Sequence, residues 1–170
     1  MQTYRVAAAM AALVAAVSGM ATAAPPAHGA FGFELNGSYR VVSNGDWART
    51  NEVFMDEKQV ISTWTFSSSC SDPQTCTGTV SSDQGWTVPL KYNVSQWIVD
   101  VYHDNWEPCP DGTFAPGRQR FQFQGTDANG QVDKDNLETL QGYDRTIGLS
   151  GACGKNQPLV ITMPLTLHKL

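Results

Sequence analysis

The chain has 170 residues, of which 16% are charged, and a formal net charge of −5 at pH 7. This length can bury one hydrophobic core and is typical of a single domain. Because the basic residues are scattered along an acidic chain, the sequence disfavours binding to nucleic acid or to an anionic membrane surface, which both need a basic patch.

The first 23 residues have the pattern of a secretory signal peptide. Arg5 is followed by an apolar run of about a dozen residues, which is short for a bilayer core of about 30 Å, and then by small residues. We place the cleavage site after Ala23; an uncleaved N-terminal membrane anchor is the alternative. The mature protein is therefore expected to be secreted, or to lie in the cell envelope, without spanning the membrane.

Residues 24–33 are rich in proline, alanine and glycine and predict a linker, whereas residues 34–170 predict one all-β domain. Apolar and polar residues alternate in this domain, with Val88, Leu90 and Tyr92 on one face of the segment VPLKYNV, and such alternation indicates half-buried strands. Turn signals such as Asn44-Gly45 separate these segments. Eight strands are predicted, at Ser38–Ser43, Gln59–Ser68, Thr77–Ser82, Thr87–Val94, Trp97–His103, Arg118–Gln124, Thr139–Asp144 and Leu159–His168.

Eight evenly spaced antiparallel strands predict a small up-and-down barrel, similar to that of lipocalins, or else a β-sandwich. We favour the barrel. Pro164 is the main observation against it, because a proline within a strand favours an edge or a bulge, and a closed barrel has no edges.

All four cysteines lie in the predicted mature protein. An exported protein with an even number of cysteines is expected to contain disulfides. The turn signal Asp72-Pro73 favours a bridge between Cys70 and Cys76 and leaves Cys109 with Cys153, although four cysteines allow three pairings. A zinc site is the alternative, but no second cysteine or histidine stands close in sequence to either of the two later cysteines.

Signatures of catalysis are sparse, since the sequence has no G-x-S-x-G, H-E-x-x-H or glycine-rich phosphate motif. His103 is followed by Asp104, and with a distant serine these two could form a Ser-His-Asp arrangement. The acidic segment 127–135 departs from the spacing of a calcium-binding EF-hand and favours a polar turn. We therefore predict a non-catalytic binding module without a metal or other cofactor, and keep an enzyme centred on His103 and Asp104 as the alternative.

Aromatic residues are the candidates for ligand contact. Trp64, Trp86, Tyr92 and Trp106 could line an apolar pocket inside a barrel or form a rim at the strand ends. Trp64 faces inward, and such residues could instead fill the core, because eight strands leave an interior just wide enough for side chains. Trp86 and Trp106 are expected nearer the surface. The expected partner is a small apolar ligand, or a protein or glycan of the cell envelope.

Four segments carry a resemblance to a known type of domain: LNGSYRVVSNG, STWTFSSSCSDPQTCTGTVSSDQGW, WEPCPDGTFAPG and PLVITMPLTLHKL. Together they resemble small exported actinobacterial, chiefly mycobacterial, proteins of unknown function. They are also similar to the extracytoplasmic domains of some membrane-bound Ser/Thr kinases. The resemblance spans nearly the whole mature chain, but its motifs are structural. It therefore implies an exported domain and assigns no functional residue.

Overall fold

A computed structural model describes residues 31–170, so the predicted signal peptide and residues 24–30 of the predicted linker lie outside the described residues. Eight longer strands are β1 (Gly37–Ser43), β4 (Val60–Asp72), β5 (Thr75–Ser82), β6 (Thr87–Asn93), β7 (Gln96–Pro108), β8 (Phe114–Gly125), β9 (Thr139–Gly148) and β10 (Val160–Lys169). Two short strands, β2 (Arg49–Thr50) and β3 (Val53–Phe54), and two 3-10 turns, Gly45–Trp47 and Ala152–Gly154, complete the set.

The longer strands close into one antiparallel barrel. From β4 to β10 each pairs with the next in the chain, and β1 pairs with β4 on one side and with β10 on the other. The short strands β2 and β3 form a hairpin that is attached to β10. The prediction of an all-β, eight-stranded barrel is confirmed, and each predicted strand overlaps an observed one.

Pro164 lies within β10 without opening the barrel. On one side of β10, the neighbouring strand β1 ends opposite Leu165 and β2 begins opposite Thr162. The carbonyl of Pro164 accepts a hydrogen bond from the Asn44 amide at 2.8 Å. A residue's N–H and C=O point to the same side of a strand, so the missing N–H faces the interval between β1 and β2. Pro164 therefore interrupts no ladder and does not mark a barrel edge.

Large side chains fill the interior of the barrel. Trp64 is 1% exposed, and its ring meets the rings of Phe121 and Trp86 edge-on, with centroid distances of 4.7 Å and 5.1 Å. Edge-to-face contacts of this kind are favourable beyond the area they bury. Trp64 is thus part of the packed core. Other buried members of this core include Tyr39, Phe66, Leu90, Trp97, Val99, Phe123, Leu140, Leu165 and Leu167.

Two disulfides reinforce the barrel, and both predicted pairings are confirmed. Cys70–Cys76 joins facing positions of β4 and β5 beside their turn. Cys109–Cys153 joins the β7–β8 turn to the loop between β9 and β10. The four cysteines of the chain are all used in these two bridges. Because the second bridge spans 44 residues, it restrains a much longer part of the unfolded chain than the first, which spans 6.

Candidate functional site

A polar network is buried in the barrel. The side chain of Asp144 on β9 accepts two hydrogen bonds, from Gln119 Nε2 at Oδ1 and from Ser43 Oγ at Oδ2, both at 2.8 Å. The other end of the Gln119 amide, Oε1, lies 2.7 Å from His103 Nε2. Burial raises the pKa of the Asp144 carboxyl, while the two hydrogen bonds and His103 act in the opposite direction.

This network differs from a catalytic triad in the order of its contacts. In a triad the hydroxyl of the nucleophile donates a hydrogen bond to the histidine, which then takes its proton. Here Ser43 donates to the carboxylate of Asp144, and His103 meets Gln119. Asp104 is exposed, whereas His103 is half-buried, because neighbouring residues of a strand point to opposite faces. The observed contacts satisfy buried polar groups, and catalysis by His103 and Asp104 stays an untested hypothesis.

The raised pKa of Asp144 predicts a pH-dependent effect of Asp144→Asn on stability. Between the ordinary value of 3.8 and the raised folded pKa, the folded protein holds the proton more tightly, so stability falls as the pH rises through this interval. The variant lacks this ionisation. We expect its free energy of unfolding to lie about 1–2 kcal/mol below that of the wild type near pH 3, because its hydrogen bonds are altered. The difference should be smaller near pH 7, where the wild type has itself lost stability. Urea unfolding of both proteins at the two pH values measures this.

Asp100→Asn is the matched control for that measurement. The Arg120 guanidinium hydrogen-bonds Asp100 and holds the pKa of its carboxyl below the ordinary value. A lowered pKa contributes stability that is present above the unfolded pKa and is lost as the pH falls. The loss of folding stability caused by Asp100→Asn should therefore grow as the pH rises. The same trend in Asp144→Asn would contradict a raised pKa for Asp144.

Two of the four aromatic residues that the sequence singles out lie at the margin of the core. Trp86 is half-buried and stacks on Phe121, with ring centroids 6.2 Å apart. Tyr92 is also half-buried and contacts Phe33 and Trp97, at centroid distances of 5.8 Å and 4.9 Å. With Trp64 in the packed core, these residues face the interior more than the solvent. Ligand contact at any of them stays a prediction.

Trp106, the fourth, is half-buried against two glycines. Gly117 and Gly148 are partners on β8 and β9, and a Cβ at Gly117 would come within 2.7 Å of the Trp106 ring. The absent side chains make room for the indole, so Trp106 is less exposed than its polar neighbours suggest. The structure brings Trp64 and Trp86 into contact, and neither of them lines the cleft beside the β2–β3 hairpin.

The strongly exposed tryptophan is Trp47, at 63%. It lines a cleft of about 670 Å³ between the β2–β3 hairpin and the outer face of β9 and β10. We call this the hairpin cleft; its wall is formed by Trp47, Arg49, Glu52 and Phe54, and its floor by Tyr143, Arg145, Thr162, Met163 and Pro164 with the backbone at Gly142.

The hairpin cleft exists because the chain leaves the barrel after β1. Gly45 opens the 3-10 turn at a point where a Cβ would lie 1.9 Å from the carbonyl oxygen of Glu57. Only glycine fits so close an approach. The chain then returns to β10 as β2, and the Asn51 side chain accepts a hydrogen bond from the Val160 amide at 2.9 Å. The hairpin is therefore held against β10 at a defined position.

The hairpin turn is strained. Asn51 and Glu52 have φ values of 48° and 68°, in the left-handed region that favours glycine. With Thr50 and Val53 paired on either side, this is a two-residue turn of type I′. A left-handed conformation costs on the order of 1 kcal/mol at a residue such as glutamate. Strain of this kind is frequent at binding sites, and Glu52 lines the hairpin cleft.

The sequence does not indicate that the residues of the hairpin cleft form one site. Arg49 and Phe54 lie 89 to 96 positions from Tyr143 and Arg145 in the chain, and the closure of the barrel brings them together. The segment RTNEVF carries the one local signal, since asparagine is a preferred first residue of a type I′ turn.

No family model and no curated protein matches the chain. Among solved structures, the chain is similar to the monomer form of the M. tuberculosis PknI sensor domain, with a TM-score of 0.54 and 15% identity. The match covers 81% of this chain and 88% of the sensor domain. In residues 31–170 no helix is long and apolar enough to cross a membrane. At this identity the likeness concerns the fold alone, so the chain shares the barrel of a kinase sensor domain.

Proposed function

We propose that the protein is a secreted, non-catalytic binding module of the cell envelope that holds its ligand in the hairpin cleft. The predicted signal peptide at residues 1–23 and the two disulfides support export, because disulfides persist in oxidising compartments. The barrel shared with the PknI sensor domain supports a sensing or binding role outside the cytoplasm.

One observation carries the choice of site. The barrel interior is filled by aromatic and aliphatic side chains, whereas the hairpin cleft is open and has a volume of about 670 Å³. Small-molecule sites are typically concave, with volumes of about 300–1,000 Å³ and a largely apolar lining. Trp47 and Phe54 supply such a lining, at 63% and 61% exposure. They are available to a ligand without any movement of the core.

A neutral fluorescent probe tests this site. N-phenyl-1-naphthylamine carries a naphthalene and a phenyl group and is expected to bind the wild type saturably, with fluorescence as the measurement. Trp47→Ala and Phe54→Ala should each weaken this binding at least about tenfold, because each removes an aromatic contact that is worth on the order of 1.4 kcal/mol or more. Both side chains are exposed and contact each other at the surface, so the free energy of unfolding should change by no more than about 1 kcal/mol.

Phe114→Ala is the matched control. Phe114 is 56% exposed on β8 and does not line the hairpin cleft, so the variant removes a similar apolar surface elsewhere. Its probe affinity should equal that of the wild type. Binding that does not saturate, or that falls equally in all three variants, would refute a site in the hairpin cleft.

A further inference from the structure

The hairpin cleft contains two arginines at the same level of the two strands that flank β10. Arg49 on β2 faces Thr162 on β10, and Thr162 faces Arg145 on β9. Partners that stand directly opposite each other project from the same face of a sheet. Neighbouring strands lie about 4.8 Å apart, so the two arginine backbones are separated by about 10 Å. Two long side chains across this distance can reach one small anion between them.

Within the described part of the chain, neither of these two arginines forms a salt bridge. The salt bridges within residues 31–170 use Arg120, Lys155 and Lys169. Arg120 shows the contrast. It lies on β8 opposite Arg145 on β9, but it forms two hydrogen bonds with Asp100, at 2.8 Å and 3.0 Å. Glu52 is the acidic residue that lines the hairpin cleft, against two arginines. The cleft is therefore locally basic on a chain with a net charge of −5.

The aromatic wall holds one of the arginines in place. The guanidinium carbon of Arg49 lies 4.5 Å from the centre of the Phe54 ring. A guanidinium that stacks on a ring keeps its N–H groups free at the edge, and their fork geometry matches a carboxylate or a phosphate. Trp47 stands edge-on to Phe54, with centroids 6.5 Å apart, and extends the apolar wall.

From this arrangement we propose that the hairpin cleft selects a small molecule that carries a phosphate or carboxylate group on a flat apolar body. The anionic group lies between Arg49 and Arg145, with the Thr162 hydroxyl beside it, and the apolar body lies against Trp47 and Phe54. The proposal rests on the proposed function and adds the chemical class of the ligand.

Three naphthalene compounds of the same ring size test the selection: 1-naphthyl phosphate, 1-naphthoate and neutral 1-naphthol. Each is titrated against wild-type protein that carries bound N-phenyl-1-naphthylamine, and its displacing concentration is measured. At least one anionic compound should displace the probe at a concentration tenfold or more below that of 1-naphthol. In Arg49→Gln and Arg145→Gln the ratio between neutral and anionic compounds should fall at least fivefold. Arg40→Gln, which removes a charge from the exposed face of β1, should keep the wild-type ratio.

Each outcome separates the two proposals. Equal displacement by all three compounds would overturn the selection of an anion and leave the cleft as a site for a neutral ligand. A preference for anions that persists in both arginine variants would also overturn it. Failure of the neutral probe to bind refutes the proposed function itself, and is seen before any displacement is attempted.

Sedimentation with lipid vesicles distinguishes a small molecule from a membrane surface. Wild-type protein should remain in the supernatant with vesicles of phosphatidylcholine and phosphatidylglycerol. Sedimentation with these vesicles that depends on Arg49 and Arg145, without displacement of the probe by either anionic naphthalene, would replace the small-molecule ligand by an anionic bilayer.

Raising the salt concentration should weaken the binding of the anionic compounds and leave the binding of 1-naphthol unaffected, because salt screens exposed charges.

Discussion

Trp64→Ala is expected to lower the free energy of unfolding by about 3–5 kcal/mol. The indole is 1% exposed and contacts Phe121 and Trp86 inside the barrel, so its removal costs buried apolar surface and leaves a cavity that the closed sheet cannot collapse around. This is a large share of the 5–15 kcal/mol that is typical of a domain. Urea unfolding, followed by far-ultraviolet circular dichroism, gives the difference from wild type.

Trp64→Phe serves as the control for this prediction. It keeps most of the aromatic contact and removes an indole N–H that is buried without a hydrogen-bond partner in residues 31–170. An unsatisfied buried donor costs about 1–3 kcal/mol, so this variant should lose less than about 2 kcal/mol. A loss below about 1 kcal/mol in Trp64→Ala, less than a new cavity costs, together with weakened probe binding, would move the ligand site from the hairpin cleft into the barrel.

Removal of the longer disulfide is expected to cost about 4 kcal/mol, and removal of the shorter one about 2 kcal/mol, on the chain-entropy description of the unfolded state. The difference arises because Cys109–Cys153 closes a loop of 44 residues and Cys70–Cys76 a loop of 6. Unfolding of the two double Cys→Ser variants measures both values. The wild type should show no reactive thiol under denaturing, non-reducing conditions.

The two disulfide variants control for each other, since each replaces two cysteines by serines. If both variants lose the same free energy of unfolding, or if the variant without the shorter loop loses more, contacts in the folded state outweigh the restraint on the unfolded chain. One or more reactive thiols in the wild type would contradict the two bridges themselves.

The strands and their faces could be predicted from the sequence because both depend on local alternation. Leu90, Phe121 and Leu165 each stand on the apolar face of a predicted strand, and each is buried. Pro164 wrongly counted against a closed barrel. It lies where β10 faces the gap between the end of β1 and the start of β2, and this depends on how far β1 extends along β10. No local pattern carries the register of strands that are distant in the chain.

The candidate site could not be predicted for the same reason. Arg49, Thr162 and Arg145 are scattered in the sequence and adjacent in the sheet, so the expectation of dispersed basic residues holds along the chain and fails on this surface. The polar neighbours of Trp106 predict a place nearer the surface, and the space that Gly117 leaves for its ring depends on the pairing of β7 with β8. Pairing between distant strands decides both placements.

The attachment of the hairpin has a consequence for evolution. The hairpin pairs with β10 at Thr50–Ile161 and Arg49–Thr162 and bonds to Val160 through Asn51, while the core is formed by other strands. Exposed positions such as Trp47, Val53 and Phe54 can therefore be exchanged at little cost in folding stability. Related chains can then diverge in what they recognise while they inherit one unchanged scaffold.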